Sequence, residues 1–249
     1  MGDDPRFSAE RILVGVDASA ASLDALAAAA ALAGRLGARL AGLFVEDEDL
    51  LRLAALPFGG VVRVPGGERE RLDRASAEAS LRAVASHARG ALERAAASHR
   101  VTWSVQVARG PVVRELLAAA EAADLVVLGA AGHGRRSRGA IGATARAAVD
   151  RARASVLLLS RGARMGGDVV AVDDGTPAGA LALAAARLLA PEGRPPAIAC
   201  PRTGGDPAMI DAIARLAPTL VVVPPAAAAP GGAIERILAL GIAVLLVRS

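Results

Sequence analysis

Short, dense apolar runs alternate along this chain with longer stretches in which apolar residues recur every three to four positions. Such runs stand at 11–16, 38–45, 101–107, 123–128 and 155–159, and all but 101–107 are near-continuous rather than alternating. That pattern fits strands covered on both faces, as in a parallel sheet. Between them, 22–36, 68–98 and 112–122 carry helical spacing; Leu81, Val84, Ala88, Leu92 and Ala95 fall on one face of the second stretch. Ser19 or Ser22 offers an N-cap for the first helix, Gly37 stops it, and Gly110-Pro111 opens the third. Residues 46–67, with Pro57, Pro65 and four Gly, read as a long irregular loop. Strand–helix alternation of this kind predicts an α/β fold with a parallel sheet.

The remainder repeats the pattern in shorter form. Val170-Ala171-Val172-Asp173 echoes Val14-Gly15-Val16-Asp17, Leu220-Val221-Val222 echoes Leu125-Val126-Val127, and Val244-Leu245-Leu246 echoes Val156-Leu157-Leu158. Gly205 falls where Gly110 stands in the first copy. The interval from Val16 to Leu128 shrinks to that from Val172 to Val223, so the second copy is expected to lack one strand–helix unit, the second strand and the long helix. This divides the chain into 1–162 and 163–249.

Composition changes this picture little. The apolar half of the chain is mostly Ala, Leu and Val, with no Tyr and only Trp103 and three Phe as aromatics. No Lys occurs, so all 29 basic residues are Arg, yet the net charge is only +4. Only Arg135, Arg136 and Arg138 cluster, too few for a nucleic-acid face, and no nucleic-acid partner is expected. Cys200 is alone, which excludes a disulfide framework within one chain. The acidic start, Met1 to Arg6, lacks the apolar segment of a leader, and the longest uncharged stretch, 216–234, carries four Pro and two Gly. A soluble, cytoplasmic protein without a membrane partner is expected.

The chemistry concentrates in one glycine frame, Gly129-x2-Gly132-x9-Gly142, set between the run at 123–128 and a helix-like stretch from Ala143. Backbone N–H groups approach an anion closely where side chains are absent, and a helix N-terminus adds positive potential. In the second copy Pro224-Pro225-Ala226 replaces Gly129-Ala130-Ala131, and proline donates no N–H. Without Lys there is no Walker A loop, and no Gly-x-Gly-x-x-Gly follows the first strand. Asp17 also has the character of a simple helix cap. Glu46-Asp47-Glu48-Asp49 could hold a cation or be a solvated charge run.

Together, Asp17 after the first strand, Val45 at the end of the second, Gly110-Pro111 after the third and the glycine frame resemble the universal stress protein family. In that family the frame is usually followed by Ser or Thr. Here Ala143 stands there, with Thr144 one residue on, a shift that turns a helical side chain by ~100°. The family's His between the first two glycines is replaced by Ala131, and His133 follows Gly132.

The resemblance implies two universal-stress-type open parallel sheets flanked by helices, Rossmann-like and related to the adenine nucleotide α-hydrolases, with the second copy shortened. It implies ATP, with Mg as a companion ion, in the first copy; ADP or AMP would serve the same site. Asp17, Ala18, Ser19 and Val45 would meet the adenosine end, and Val107 and Leu128 would wall the base. Gly129, Gly132, His133, Gly134, Gly142, Ala143 and Thr144 would surround the phosphates. The last strands, 155–160 and 242–247, would pair antiparallel in an internal pseudo-dimer, with a homodimer as a further assembly. Binding would serve as a stress-response sensor or switch. The alternatives are an interaction and dimerisation module that binds no nucleotide, and a slow ATP hydrolase.

Overall fold

A computed structural model describes residues 5–17, 19–49, 52, 60–62, 69–71, 74–131, 141–200, 207–228 and 232–248. The first half runs β1 (Arg11–Gly15), α1 (Ala20–Leu36), β2 (Arg39–Asp47), a two-stranded antiparallel pair β3 (Gly60–Val62) and β4 (Arg69–Arg71), α2 (Arg74–His99), β5 (Trp103–Gly110), α3 (Val112–Ala120), β6 (Leu125–Gly129), α4 (Ala143–Arg151) and β7 (Ser155–Leu159). The second half runs β8 (Val169–Val172), α5 (Pro177–Leu189), β9 (Ala197–Ala199), α6 (Pro207–Leu216), β10 (Leu220–Val223), a short 3-10 turn (Pro225–Ala228), α7 (Ala233–Ala239) and β11 (Ala243–Leu246).

Two expectations are corrected here. The segment expected to be one irregular loop holds β3, and the long helix begins at Arg74 because Arg69–Arg71 forms β4. Val61 and Val62 are β-branched and suit a strand, but a three-residue run is too short to stand out as one in sequence.

Local chemistry explains the boundaries near the site. The Ser19 side chain accepts the Ser22 N–H and caps α1, and Gly37 closes that helix with φ 66. Helix α1 buries Ala25, Ala29, Ala30 and Ala33 completely; such small side chains let it lie close to the sheet.

Nine strands form one sheet in the order β5-β2-β1-β6-β7-β11-β10-β8-β9. Every neighbouring pair is parallel except β7 with β11. There Leu157 stands opposite Leu245, flanked by Val156 with Leu246 and Leu158 with Val244. The two parallel sheets therefore join edge to edge through their last strands, the pairing expected from 155–160 and 242–247. One face is covered by α1, α2 and α5, the other by α3, α4, α6 and α7, and each face carries an apolar core that spans both halves. Leu157 is buried at the centre of the join. Leu157→Ala should lower stability by about 3–5 kcal/mol, read as a shifted denaturation midpoint at unchanged slope.

The second half is shortened in a specific way. Strand β9 lies beside β8 in the slot that β2 occupies beside β1. Helix α6 packs on the face of α3 and α4, so α2 has no counterpart among the described residues of this half. The strand that corresponds in sequence to β5 has thus moved one place inward to fill the gap. Among the described residues, no helix is long and apolar enough to cross a membrane.

Candidate functional site

Strand order reverses between β1 and β6, and a crevice opens at the carboxyl ends of strands at such a point. A cavity of about 550 Å³ lies there, within the range of small-molecule sites. Its walls come from six places. The end of β1 supplies Gly15 and then Val16 and Asp17; the start of α1 supplies Ser19 and Ser22. Strand β2 contributes Leu43, Phe44, Val45 and Asp47, and α3 contributes Val112 and Leu116. Strand β6 ends on the cavity with Leu128 and Gly129, and Gly142, Ala143, Thr144 and Ala145 close it at the start of α4.

The β1–α1 corner is held by its own hydrogen bonds. The Asp17 carboxylate accepts the Ser19 N–H at 3.0 Å, and the Asp17 N–H donates to Ser22 Oγ at 3.3 Å. Ser22 Oγ in turn donates to the Ser19 carbonyl at 3.1 Å. Ser19, not Asp17, is therefore the helix cap, and the Asp17 carboxylate stays on the cavity wall. On the far side of β1, Asp47 also reaches the cavity, with Oδ1 accepting the Asp49 N–H at 3.0 Å. Glu48 and Asp49 pair instead with exposed Arg52 at 3.2 and 3.4 Å. Among the described residues, no three His, Cys, Asp or Glu side chains gather to hold a metal.

Close packing explains one glycine of the frame. A Cβ on Gly129 would lie 2.8 Å from the carbonyl carbon of Ala21 and 2.9 Å from its Cβ, so β6 ends directly against the first turn of α1. Gly142 has φ −67, which any residue adopts. Its N–H donates to the Ala130 carbonyl at 2.7 Å, which brings the start of α4 back onto the end of β6. As the N-cap of α4 it offers no side-chain acceptor. Helix geometry leaves the N–H groups of Ala143, Thr144 and Ala145 without an intrahelical acceptor, and all three residues line the cavity.

The cavity is therefore polarised. Carboxylates stand at the β1–β2 end, and uncapped amides with the positive end of a helix stand at the α4 end.

Of the site residues expected from sequence, Asp17, Ser19, Val45, Leu128, Gly129, Gly142, Ala143 and Thr144 meet on this cavity. Val107 does not. It lies on the edge strand β5 opposite Phe44, is 54% exposed, and is not part of the cavity wall. Ala18, Gly132, His133 and Gly134 lie outside the described residues, as does the Arg135, Arg136, Arg138 cluster. Ser22, Phe44, Asp47, Val112 and Leu116 were not anticipated as cavity walls. Leu116, one turn into the helix after Gly110-Pro111, carried a helical-stripe signal in the sequence; Asp47 stood out only as part of the acidic run 46–49, and Phe44 carried no signal beyond its place near a strand end.

The sequence model of the universal stress protein family matches residues 9–160. The chain belongs to the universal stress protein family. No curated protein sequence matches. Among solved structures, a universal stress protein from Archaeoglobus fulgidus DSM 4304 aligns over 97% of this chain and 99% of its own, with a TM-score of 0.67 at 12% identity. That likeness extends the family's fold across both halves. A universal stress protein from Lactobacillus plantarum covers 61% of this chain and 97% of its own, with 26% identity and a TM-score of 0.46. A universal stress protein in complex with cAMP covers 62% of this chain and 99% of its own, with 19% identity and a TM-score of 0.43. In this member the family match ends with β7, and the second half adds four further strands of the sheet.

Proposed function

We propose that the cavity in residues 1–162 binds an adenine nucleotide, ATP foremost, and that occupancy acts as a stress-response sensor or switch rather than as fuel for turnover. The observation that carries this reading is the polarised cavity. The uncapped first turn of α4 suits a phosphate chain, since its free N–H groups and helix field both favour negative charge. At the opposite end Asp17 and Asp47 accept hydrogen bonds, so they suit hydroxyl and amino groups, as ribose and adenine present, and would repel phosphate. Val45, Leu128 and Leu116 supply apolar wall for a base. A nucleotide fits this order of polarity in one direction only. Mg would arrive with the phosphates as part of the ligand.

The second half is the structural partner in this reading. Its corresponding loop begins with Pro224 and Pro225, which withdraw two N–H donors.

Calorimetric titration should find one ATP per chain. Gly142→Val should abolish binding by putting a branched side chain at the mouth of the α4 amides. Thr144→Val, nearly isosteric, should weaken binding about tenfold through loss of a hydroxyl donor to phosphate. Two equivalent sites, or no binding at millimolar ATP, would refute the proposal.

A further inference from the structure

We propose that Arg248, at the far end of the second half, is a positioning residue for the candidate nucleotide site: it grips the C-terminal end of α4 and so sets where the helix's N-terminal turn stands in the cavity. The inference rests on the nucleotide reading above for its consequence, but its geometry stands alone. The last carbonyls of a helix have no intrahelical partners. In α4 the Val149 carbonyl accepts from Nη2 of the Arg248 guanidinium and the C-cap Ala152 carbonyl from Nη1; Nη1 also lies 3.4 Å from the Ala148 carbonyl, which already accepts the Ala152 N–H, and 3.4 Å from the Ala154 carbonyl just beyond the helix. The Arg248 N–H is itself anchored on buried Ser155 Oγ at 3.0 Å. A cation at a helix C-terminus also complements the helix dipole. Burial pushes the guanidinium's pKa below its ordinary value, with Asp150 acting the other way, as fits a half-buried group set against these carbonyls.

Helix α4 needs such support. It has nine residues, spans only ~13 Å, and is far below the length at which a helix holds together unaided. A second strap runs from the same half: Glu235 on α7 pairs with Arg146 on α4. The grip is one-sided. The β7–β11 register makes Ser160 the counterpart of Arg248, and the Ser160 hydroxyl is buried without a partner. Among the described residues, the first half thus sends no equivalent arginine to α7, and the shortened half supports the half that carries the cavity.

The molecule supplies its own control. Arg35, on α1, crosses between the halves in the opposite direction and caps α5, donating to the Leu188, Leu189 and Ala190 carbonyls at 3.0–3.3 Å. Arg35→Ala removes an arginine clasp between the halves without touching α4.

The experiment uses the full chain, with wild type, Arg248→Ala, Arg248→Lys and Arg35→Ala compared by amide hydrogen exchange of residues 146–152 and by ATP titration, well below every melting transition. Arg248→Ala should speed exchange in that segment about tenfold and raise the Kd for ATP about five- to tenfold. Arg248→Lys should fall between it and wild type. Arg35→Ala should lower Tm yet leave both readouts within about twofold of wild type, the scale of an uncoupled site. The proposal is overturned if Arg248→Ala leaves exchange in 146–152 unchanged, if it speeds exchange but leaves the Kd unchanged, or if Arg35→Ala reproduces its effects. If wild type takes no ATP, the nucleotide reading fails, and the exchange comparison alone decides whether Arg248 holds α4. Should Arg248→Ala not fold, Arg248→Lys and Arg248→Gln take its place: faster exchange with a raised Kd supports the grip, and either readout unchanged overturns it.

Discussion

A fragment ending at Arg161 is expected to self-associate, either as a dimer built through β7 or as a precipitate. Strand β7 is buried along its whole length, and β11 saturates its outer edge. Removing residues 162–249 leaves a row of unpaired backbone groups flanked by Val156, Leu157 and Leu158. An apolar open edge of this kind is a template for another strand. The geometry already favours a second copy of β7 as the replacement. The native pairing is antiparallel and centred on Leu157 opposite Leu245, so substituting an identical strand keeps leucine opposite leucine and gives a self-complementary two-fold contact. The fragment also strands Arg35, whose acceptors at the end of α5 are gone, and frees α4 from Arg248. Light scattering after gel filtration over a range of concentrations reads the outcome. A monodisperse monomer at every concentration would show that β7 does not need its partner edge.

Gly129→Val is expected to be the most damaging single substitution near the site, lowering Tm and abolishing ligand binding together. The contact is backbone on backbone: a Cβ at position 129 would stand 2.8 Å from the Ala21 carbonyl carbon and 3.0 Å from its oxygen. Relief requires moving the first turn of α1, and that turn carries the Ser19 cap and the Ser19–Asp17 hydrogen bond. Overpacking costs about 1–3 kcal/mol when neighbours yield, and here the neighbour is a helix start locked by its own cap. Gly42→Ala is the informative contrast. Its Cβ would lie 2.6 Å from Leu92 Cδ2, the far end of a side chain that can turn away, so the loss should be smaller. Thermal unfolding of the two variants side by side makes the test, and a wild-type Tm for Gly129→Val would refute the packing account.

Much of this molecule was legible without coordinates because the relevant signals are local. Continuous apolar runs marked β1, β2, β6, β7, β10 and β11, since strands covered on both faces have no polar side to show. The cap at Ser19, the stop at Gly37 and the entry at Gly110-Pro111 are properties of three or four adjacent residues. The glycine frame likewise named one end of the cavity, because Gly129 ends β6 and Gly142 caps the start of α4.

Features that depend on which strand lies beside which were decided only by the tertiary structure. The sequence order of the second half does not reveal that β9 slides into the slot next to β8 once its neighbour and the long helix are missing. Val107 closes the sequence run 101–107 as Val45 closes the run 38–45, yet β5 continues to Gly110 and is the sheet edge, one strand removed from the cavity, and its Val107 is left exposed. Arg248 reads in sequence as a terminal basic residue after a strand. It becomes the cap of α4 only because β11 runs antiparallel to β7 and delivers its end to the end of that helix. Sequence pattern determined the elements, their caps and the loop that could hold an anion, since those rest on neighbours in the chain. Long-range strand pairing decided which residues share the cavity and which half supports it, since that pairing brings together groups a hundred residues apart.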